Sequence, residues 1–521
     1  MVEYKVLLTT SGLGSRLGNL TKFTNKSLVR VGDKAVISHI IESYPSNIEF
    51  VVTLGHYGSH VKEYLTLAHS DRNITFIEID NYMGEGSSLL YSISQCEKHL
   101  QCPFVFHACD TLLPKNYISS INFSTNWSIG GVGDNSQSYR TLNCLNGKIS
   151  SINEKGEQNF DYVYVGVSGF KDYQSFWKIC KNVLKTSKVS DLSDCHIIRK
   201  MKDFSVVSID EWYDIGNIDA LKRTRSKIKG TIHVLDKEDE NIFIFDNFVI
   251  KFFHNKKICF DRVLRAKTLE GLVPKIFNYT ENFYKYEYLE ADLMSDSVSL
   301  YQFVDLLKWA KDNLWKPKEQ KNYIENAIKF YKDKTIIRVE KFLEKHGLED
   351  SSDVINGMKV PSMIEMLQDI DYEKLAGPNP TGFHGDFILD NILVSENFKD
   401  KFMLIDWRQD FNGIIESGDM HYDLAKLNHN LVLNHAILHD KKFKIDFVNG
   451  EIFCDVLVKK TLLDFKYRLK DFCISNQIDY NKIETLSSII WINMAPLHEH
   501  PLDTFLYYFG KYNLFLNMTT Q

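Results

Sequence analysis

Gly382-Phe383-His384-Gly385-Asp386 runs on through Asn391 to Leu404-Ile405-Asp406-Trp407. The apolar run 402–405 has the look of a short strand and delivers an aspartate at its end. Fifteen residues earlier stands an asparagine, and five before that another aspartate in a His-Gly-Asp turn. Phosphoryl transfer from a nucleotide needs that set of parts. One carboxylate accepts the proton of the attacking hydroxyl, and a second carboxylate with an amide oxygen holds magnesium on the phosphates. Gly-Asp pairs are also ordinary turn chemistry, but fixed residues at fixed spacing, with a strand-borne aspartate downstream, favour the transfer reading.

The pattern HGD-x4-N…IDW resembles that of the aminoglycoside phosphotransferase and choline kinase family, relatives of protein kinases that phosphorylate small alcohols with ATP. The resemblance implies Asp386 as catalytic base, Asn391 and Asp406 as magnesium ligands, and His384 as a prop for the loop. Gly418-Asp419-Met420-His421-Tyr422-Asp423-Leu424 is similar to the segment that follows in the family, with Asp423 expected as a helix cap. It further implies a kinase-like α+β domain, with a small β-rich lobe over 230–290 and a large helical lobe over 291–521.

A chain of 521 residues is too long for one core, and its 44% hydrophobic and 25% charged residues are ordinary for a globular protein. The net charge of −6 argues against a general nucleic-acid binder. Nine scattered cysteines without Cys-x-x-Cys spacing indicate a reducing compartment, with neither a disulfide framework nor a zinc site. No apolar run approaches the length of a membrane span, and the start has no signal-peptide shape. A cytoplasmic enzyme acting on small molecules is expected, with homo-oligomerisation left open.

From residue 1 to about 110, apolar runs at 6–9, 48–54, 74–79 and 104–108 alternate with helical periodicity at 35–44, 59–67 and 87–99. That is a βαβ series, so an α/β domain over 1–229 is expected, Rossmann-like, with a mostly parallel sheet and helices on both faces. Ligands of such sheets bind beyond the carboxyl ends of the strands. There the chain places Thr10-Ser11-Gly12-Leu13-Gly14-Ser15-Arg16-Leu17. Gly12 and Gly14 let backbone amides, with Ser15, approach phosphate oxygens, and Arg16 adds charge. Lys26 follows twelve residues after Gly14. The whole segment GLGSRLGNLTKFTNKSLVRVGDKAVISHII resembles the signature of nucleotidyltransferases that join a nucleoside triphosphate to a sugar phosphate. By that resemblance the glycine loop and Arg16 hold the triphosphate, and Lys26 neutralises charge at the reacting phosphate.

The same resemblance implies Asp110, at the end of the strand expected at 104–108, as a magnesium ligand. Glu211-Trp212-Tyr213-Asp214-Ile215-Gly216-Asn217 looks like the W-x-D-x-G segment that supplies the second, Asp214. Glu154-Lys155 looks like the pair that touches the sugar phosphate, with an exposed ion pair as the plain alternative. Two carboxylates on one metal suit this chemistry, because a phosphate nucleophile needs neutralisation and alignment rather than a base. Asn81-Tyr82-Met83-Gly84-Glu85-Gly86-Ser87-Ser88 departs from the sugar-phosphate pattern and echoes an element of cytidylyltransferases acting on phosphocholine-like alcohols.

Lys222, Arg223, Arg225, Lys227 and Lys229 mark the solvated end of a helix near a boundary at Gly230. From Ile232 the period turns to two, and 241–245, Asp246-Asn247 and 248–253 form an expected hairpin. Lys251 sits mid-strand, where a kinase-like fold places its phosphate-bridging lysine. Glu270, on a helix expected over 260–272, is the partner expected for it, and Glu287 lies in a strand and hinge resembling those that receive adenine. Helical periodicity follows at 304–309, 323–342, 363–370 and beyond 456. Trp407, Tyr422, Trp491 and the 496–500 turn are candidates for the acceptor pocket, without an assignment.

The two halves together imply consecutive steps. ATP phosphorylates a small alcohol, and an NTP (CTP, UTP, dTTP or GTP) then gives NDP–R and pyrophosphate, each step with Mg2+. The Trp-Tyr-Asp-Ile-Gly segment favours a sugar, hence an NDP-sugar for surface glycan synthesis. A choline- or polyol-type kinase with a CTP-dependent cytidylyltransferase is the alternative, and a chain with one inactive half serving as sensor or scaffold is a third.

Overall fold

A computed structural model of the chain describes residues 4–133, 136–187, 191–231, 237–296, 298–377 and 379–519. The start of the alternating pattern at Ile232 lies outside them. The chain divides into two compact units, Met1–Cys259 with Ile276–Tyr288, and Phe260–Lys275 with Leu289–Gln521. No helix of the described residues is long and apolar enough to cross a membrane.

The first unit is built on a nine-stranded sheet. Its order is Asn73–Glu78, Glu49–Leu54, Lys5–Thr9, Phe104–Ala108, Tyr162–Phe170, Asn126–Gly131, Phe204–Ile209, Lys148–Asn153, Thr141–Leu145. The first four strands are mutually parallel, as the βαβ reading requires. Strands buried on both faces read as continuous apolar runs, and successive side chains serve opposite layers. Val6 and Leu8 join one core with Ile40, Val61 and Tyr64, while Leu7 joins the other with Ile93, Phe104 and Trp177. Beyond residue 110 the expectation of a mostly parallel sheet fails. Tyr162–Phe170 runs antiparallel to both its main neighbours, and Lys148–Asn153 is antiparallel to both of its own. Asn146 and Gly147, both at positive φ, turn Thr141–Leu145 straight back into Lys148–Asn153, which is the geometry that an Asn-Gly hairpin imposes.

A four-stranded sheet, in the order Glu240–Ile244, Phe248–Phe253, Phe283–Glu287, Ile276–Tyr279, also belongs to this unit. The expected Asp246-Asn247 turn is present, closed by the Phe245 N–H on the Phe248 carbonyl at 2.8 Å. Phe243, Phe245, Phe252 and Phe283 enter the core that holds Val61, Tyr64 and Leu65 of the helix Gly58–Ala68. The Glu63 carboxylate accepts from the Asn282 N–H at 2.9 Å. The compact unit therefore extends past the boundary expected at 229.

The second unit centres on the helices Met420–Val432, Tyr480–Met494 and Leu502–Thr519, with Leu424, Leu427, Leu431, Ile483, Leu486 and Phe505 fully buried. It is not purely helical. Asp292–Leu293, Ile392–Val394 and Phe402–Leu404 form one small sheet. Met358–Val360, Asp353–Ile355, Glu451–Val456 and Phe443–Val448 form another. Two Asn-Gly turns, Asn356-Gly357 and Asn449-Gly450, all four residues at positive φ, close its hairpins.

Candidate active sites

In the first unit a backbone ladder brings the two aspartates together. Tyr213–Asp214 pairs antiparallel with Thr111–Leu112, Asp214 opposite Thr111, and the Ile215 N–H donates to the Asp110 carbonyl at 2.9 Å. Their carboxylates face a common space beside Gly216. A Cβ added at that glycine would stand 3.0 Å from Asp214 Oδ1, 3.5 Å from Arg16 Nη2 and 3.7 Å from Asp110 Oδ2. Lys26 Nζ donates to Asp110 Oδ2 at 3.1 Å. Asn25 aims that lysine: its amide, itself fully buried, donates to the Thr10 carbonyl at 2.7 Å and the His56 carbonyl at 2.6 Å, while its Oδ1 accepts from the Ser27 N–H. Gly14 is at φ +68°, and a Cβ there would lie 2.8 Å from Lys26 Cβ, so the loop closes on the lysine only with glycine. Gly12 has open space where its Cβ would be, and Ser15 begins the 3-10 turn Ser15–Thr21.

Burial works against the charge on Lys26, but the adjoining Asp110 carboxylate more than compensates and raises its pKa. Burial pushes Asp110 up as well, yet Lys26 and then Arg16 bring it below the usual carboxylate range. Asp214 ends above that range. Burial outweighs the hydrogen bonds it accepts from the Tyr139 hydroxyl at 2.7 Å and the Gly216 N–H at 2.8 Å, and the neighbouring Asp110 charge adds to the rise. Arg16, Asp110, Tyr139, Lys155, Trp212 and Asp214 line one cavity of about 260 Å³. Glu154 is not among the cavity's lining residues. It is bound by Arg140 at 2.9 Å and Arg199 at 2.6 Å, the plain ion-pair alternative for this residue. Tyr139 carries no motif and stands 75 residues before Asp214 in the chain; only the fold brings it in.

In the second unit Ile392–Val394 pairs with Phe402–Leu404, and the Ile405 N–H donates to the Asn391 carbonyl at 2.9 Å. Asp406 is thereby delivered beside Asn391, at a left-handed φ of 58°, a backbone state that side-chain-bearing residues adopt at a cost and mostly at functional sites. The Asn391 amide donates to the Asp386 carbonyl at 2.9 Å and to Asp386 Oδ2 at 3.0 Å. Lys426 Nζ meets Asp386 Oδ1 at 2.7 Å. Burial raises Asp386, but Lys426 outweighs it and leaves the carboxyl below its usual range, hence ionised. Arg262 Nη1 donates to Asp406 Oδ1 at 2.5 Å.

The turn itself is held from behind. Asp423, fully buried in the helix Met420–Val432, accepts from the N–H groups of His384 (2.7 Å) and Gly385 (2.6 Å) and from Trp315 Nε1 (3.0 Å). Burial lifts its pKa to about 6 against those three bonds. Asp423 is thus a clamp, and the cap expected of it is Asp419, which accepts from the His421 N–H at 2.9 Å. Arg265, also fully buried, donates to the Phe383 carbonyl and stacks on the Phe383 ring at 4.0 Å. His384 is buried, and its pKa falls to about 4, so the ring is neutral; its Nδ1 accepts from the Asp386 N–H.

Lys251 lies buried in mid-strand between Ile242 and Tyr284, and Glu287 ends its strand opposite Phe248; both are in the first unit. Glu270 is in the second unit and not on a helix. Lys256–Thr268 ends before it, and Gly271 at φ +81° carries the exposed Glu270 into a bridge with Val273. Trp407 and Trp491 are core pieces, Trp407 with its Nε1 on the Arg262 carbonyl at 2.8 Å.

Among the described residues no three His, Cys, Asp or Glu side chains converge as a metal set. Each site instead offers two side chains, the usual protein share for Mg2+, whose remaining ligands are phosphates and water. Asp110 and Asp214, whose carboxylates face one space, fit such an ion; Asn391 and Asp406 would be the second pair, with Asp406 Oδ1 held by Arg262.

No family model matches the chain. Over 262 residues, 47% of its length, the chain is 20% identical to the bifunctional protein GlmU of Methanococcus vannielii, and it covers 60% of that protein. Two similar solved structures are the CTP:phosphocholine cytidylyltransferase from Streptococcus pneumoniae and the inositol-1-phosphate CTP transferase from T. maritima. The first is 18% identical, over 44% of this chain and 100% of that one, with a TM-score of 0.38. The second is 18% identical, over 45% and 99%, with a TM-score of 0.36. Each of these likenesses covers less than half of this chain.

Proposed function

We propose that the chain is a bifunctional transferase that phosphorylates a small alcohol with ATP and then joins the phosphate ester to a nucleotidyl group from an NTP. The observation that supports the reading is the pair of short ladders, Asp214 with Thr111 and Ile392 with Leu404, each of which brings together two of the residues that would hold Mg2+.

In the first unit, Arg16 and Lys26 neutralise the triphosphate and the charge that develops at the α-phosphorus. The phosphate ester attacks there, and pyrophosphate leaves with the electron pair of the broken bond. In the second unit, Asp386 takes the hydroxyl proton of the acceptor, the Asn391 amide orients that carboxylate, and Asp423 keeps the turn in place. Bound Mg2+ would neutralise phosphate oxygens at both sites. An NDP-sugar for surface glycan synthesis fits best; a choline- or polyol-type alcohol with CTP is the other product class.

The test supplies the full chain with each of the four NTPs and candidate phosphate esters while pyrophosphate is followed, and with ATP and candidate alcohols while ADP is followed. Asp386→Ala is expected to abolish acceptor-dependent ADP formation and leave pyrophosphate release intact, and Asp110→Asn to do the reverse. Loss of both activities in either variant would contradict two separate sites.

A further inference from the structure

Cations outnumber carboxylates beside the Asp386 turn. The helix Lys334–His346 is entered through a π-helical turn, Lys329–Asp333, a device that recurs at functional sites because it re-aims side chains. Here it places Lys334 Nζ 4.0 Å from the Phe330 ring centre and 5.8 Å from that of Tyr422. Arg408 sets its guanidinium 4.9 Å from the same Phe330 ring. Its backbone N–H donates to the His384 carbonyl at 3.0 Å, so Arg408 is anchored to the His-Gly-Asp turn itself. Lys426 stands one helical turn beyond Tyr422 and reaches Asp386 at 2.7 Å. Arg338 follows Lys334 by one turn.

Among the described residues, Lys334, Arg338 and Arg408 make no ion pair, and Asp386 is the carboxylate that Lys426 holds. Asp410, a carboxylate that acts on Lys334 more weakly than the neighbouring cations do, spends its Oδ1 on the Gly413 N–H at 3.0 Å. Burial and then the charges of Arg408, Lys426 and Arg338 push Lys334 well below the usual lysine range. A lysine stem lying over an aromatic ring is ordinary packing. Two such cations over one ring, with the charge of Arg338 also acting on Lys334, at the edge of the Asp386 turn, are not, since half-buried like charges repel one another unless an anion joins them.

We propose that this cluster is the acceptor side of the phosphotransferase site, and that the alcohol phosphorylated there carries an anionic group of its own, a carboxylate or a phosphate. The inference rests on the kinase reading of Asp386 and narrows its substrate. The step balances simply. The acceptor oxygen bonds to the γ-phosphorus of ATP, the bond from that phosphorus to the bridging oxygen breaks, and ADP leaves with the electron pair. The hydroxyl proton passes to Asp386. Lys334 and Arg408 hold the anionic group, Arg408 with a fork suited to two oxygens. A quaternary ammonium such as choline meets repulsion in the same place.

Calorimetric titration of the full chain with inorganic phosphate, acetate and tetramethylammonium tests this, on wild type, Lys334→Met, Arg408→Met and the double variant. At least one anion is expected to bind wild type and to bind the double variant at least tenfold more weakly, with tetramethylammonium showing no binding. The anion that binds tells a phosphate-bearing acceptor from a carboxylate-bearing one. Lys334→Met without anion should have a Tm no lower than wild type, because it removes a repelled charge; Arg338→Gln gives a second position if Arg408→Met disturbs the turn. Anion binding unchanged across the variants, no anion binding at all, or tetramethylammonium binding that depends on these residues would each overturn the proposal. The underlying reading is checked separately by Mg2+-dependent binding of a non-hydrolysable ATP analogue to wild type and to Asp406→Ala. Failure there with anion binding intact removes the kinase and leaves the anion site.

Discussion

Asp423 makes the His384-Gly385 turn possible and is under strain in doing so. It offers one buried carboxyl to three N–H donors, and burial still lifts its pKa to about 6. A folded pKa above the unfolded one means the native state binds the extra proton. Its contribution to stability is therefore fully present below about 4 and is lost as pH rises through about 6. The stability difference between wild type and Asp423→Asn, from urea unfolding at pH 4.5 and pH 7.5, should change by roughly 2 kcal/mol in favour of wild type at the lower pH. A pH-independent difference would mean the group does not titrate in that window. Tyr139 allows a complementary test in the first unit. Its hydroxyl lowers the pKa of Asp214, which burial has raised. Tyr139→Phe should raise Asp214 further, so the acid limb of pyrophosphate release moves to higher pH. No shift, or a shift downward, would show that Asp214 ionisation does not limit the reaction.

At the scale of elements, both sites depend on ladders only two or three residues long, which local periodicity cannot announce. Asp110, Asp214, Asn391 and Asp406 stand out in the sequence by motif, and the backbone sets Ile215 against Asp110 and Ile405 against Asn391. What joins them does not stand out in the sequence. Thr111–Leu112 and Tyr213–Asp214 are too short to show alternation and lie a hundred residues apart. The parallel first half of the large sheet was readable because three of its four strands, Lys5–Thr9, Glu49–Leu54 and Phe104–Ala108, are buried on both faces. The antiparallel hairpin in the second half is marked by Asn146-Gly147, and the sheet among the helices by Asn356-Gly357 and Asn449-Gly450; in each case Asn-Gly separates two strands. Glu270 was placed on a helix because the apolar period runs on past Thr268, whereas Gly271 had already set the end. If the short ladder positions Asp214, removing one donor from it should matter more than its size suggests. Ile215→Pro deletes the N–H that reaches the Asp110 carbonyl. Nucleotidyl transfer should fall on the order of 10²-fold, the usual effect of a misplacement near 1 Å, while ADP formation by the second unit persists. Equal loss of both reactions would indicate global unfolding instead.

At the scale of the whole molecule, the chain crosses between its two compact units more than once, since Phe260–Lys275 belongs to the second and Ile276–Tyr288 returns to the first. The small sheet that kinase order would assign to the phosphotransferase shares the core of the first unit. Tyr64 and Phe243 meet edge-on with ring centres 4.8 Å apart, His60 and Phe252 at 5.0 Å, and Phe243, Phe252 and Phe283 are all at most 2% exposed. A fragment cut at the boundary that composition suggests, residues 1–229, would expose the face of Gly58–Ala68 that these rings cover. Each buried aromatic is worth about 1.5–3 kcal/mol, and a domain holds only about 5–15 kcal/mol in all, so losing the sheet removes a large share of the unit's stability. The fragment 1–229 should therefore unfold at a markedly lower urea concentration than the first transition of the full chain, or aggregate through the uncovered Val61, Tyr64 and Leu65. Replacing those three by polar residues in the fragment should restore solubility without restoring the midpoint. A soluble monomeric 1–229 that unfolds cooperatively at the full chain's midpoint would show that the sheet adds nothing to the first unit.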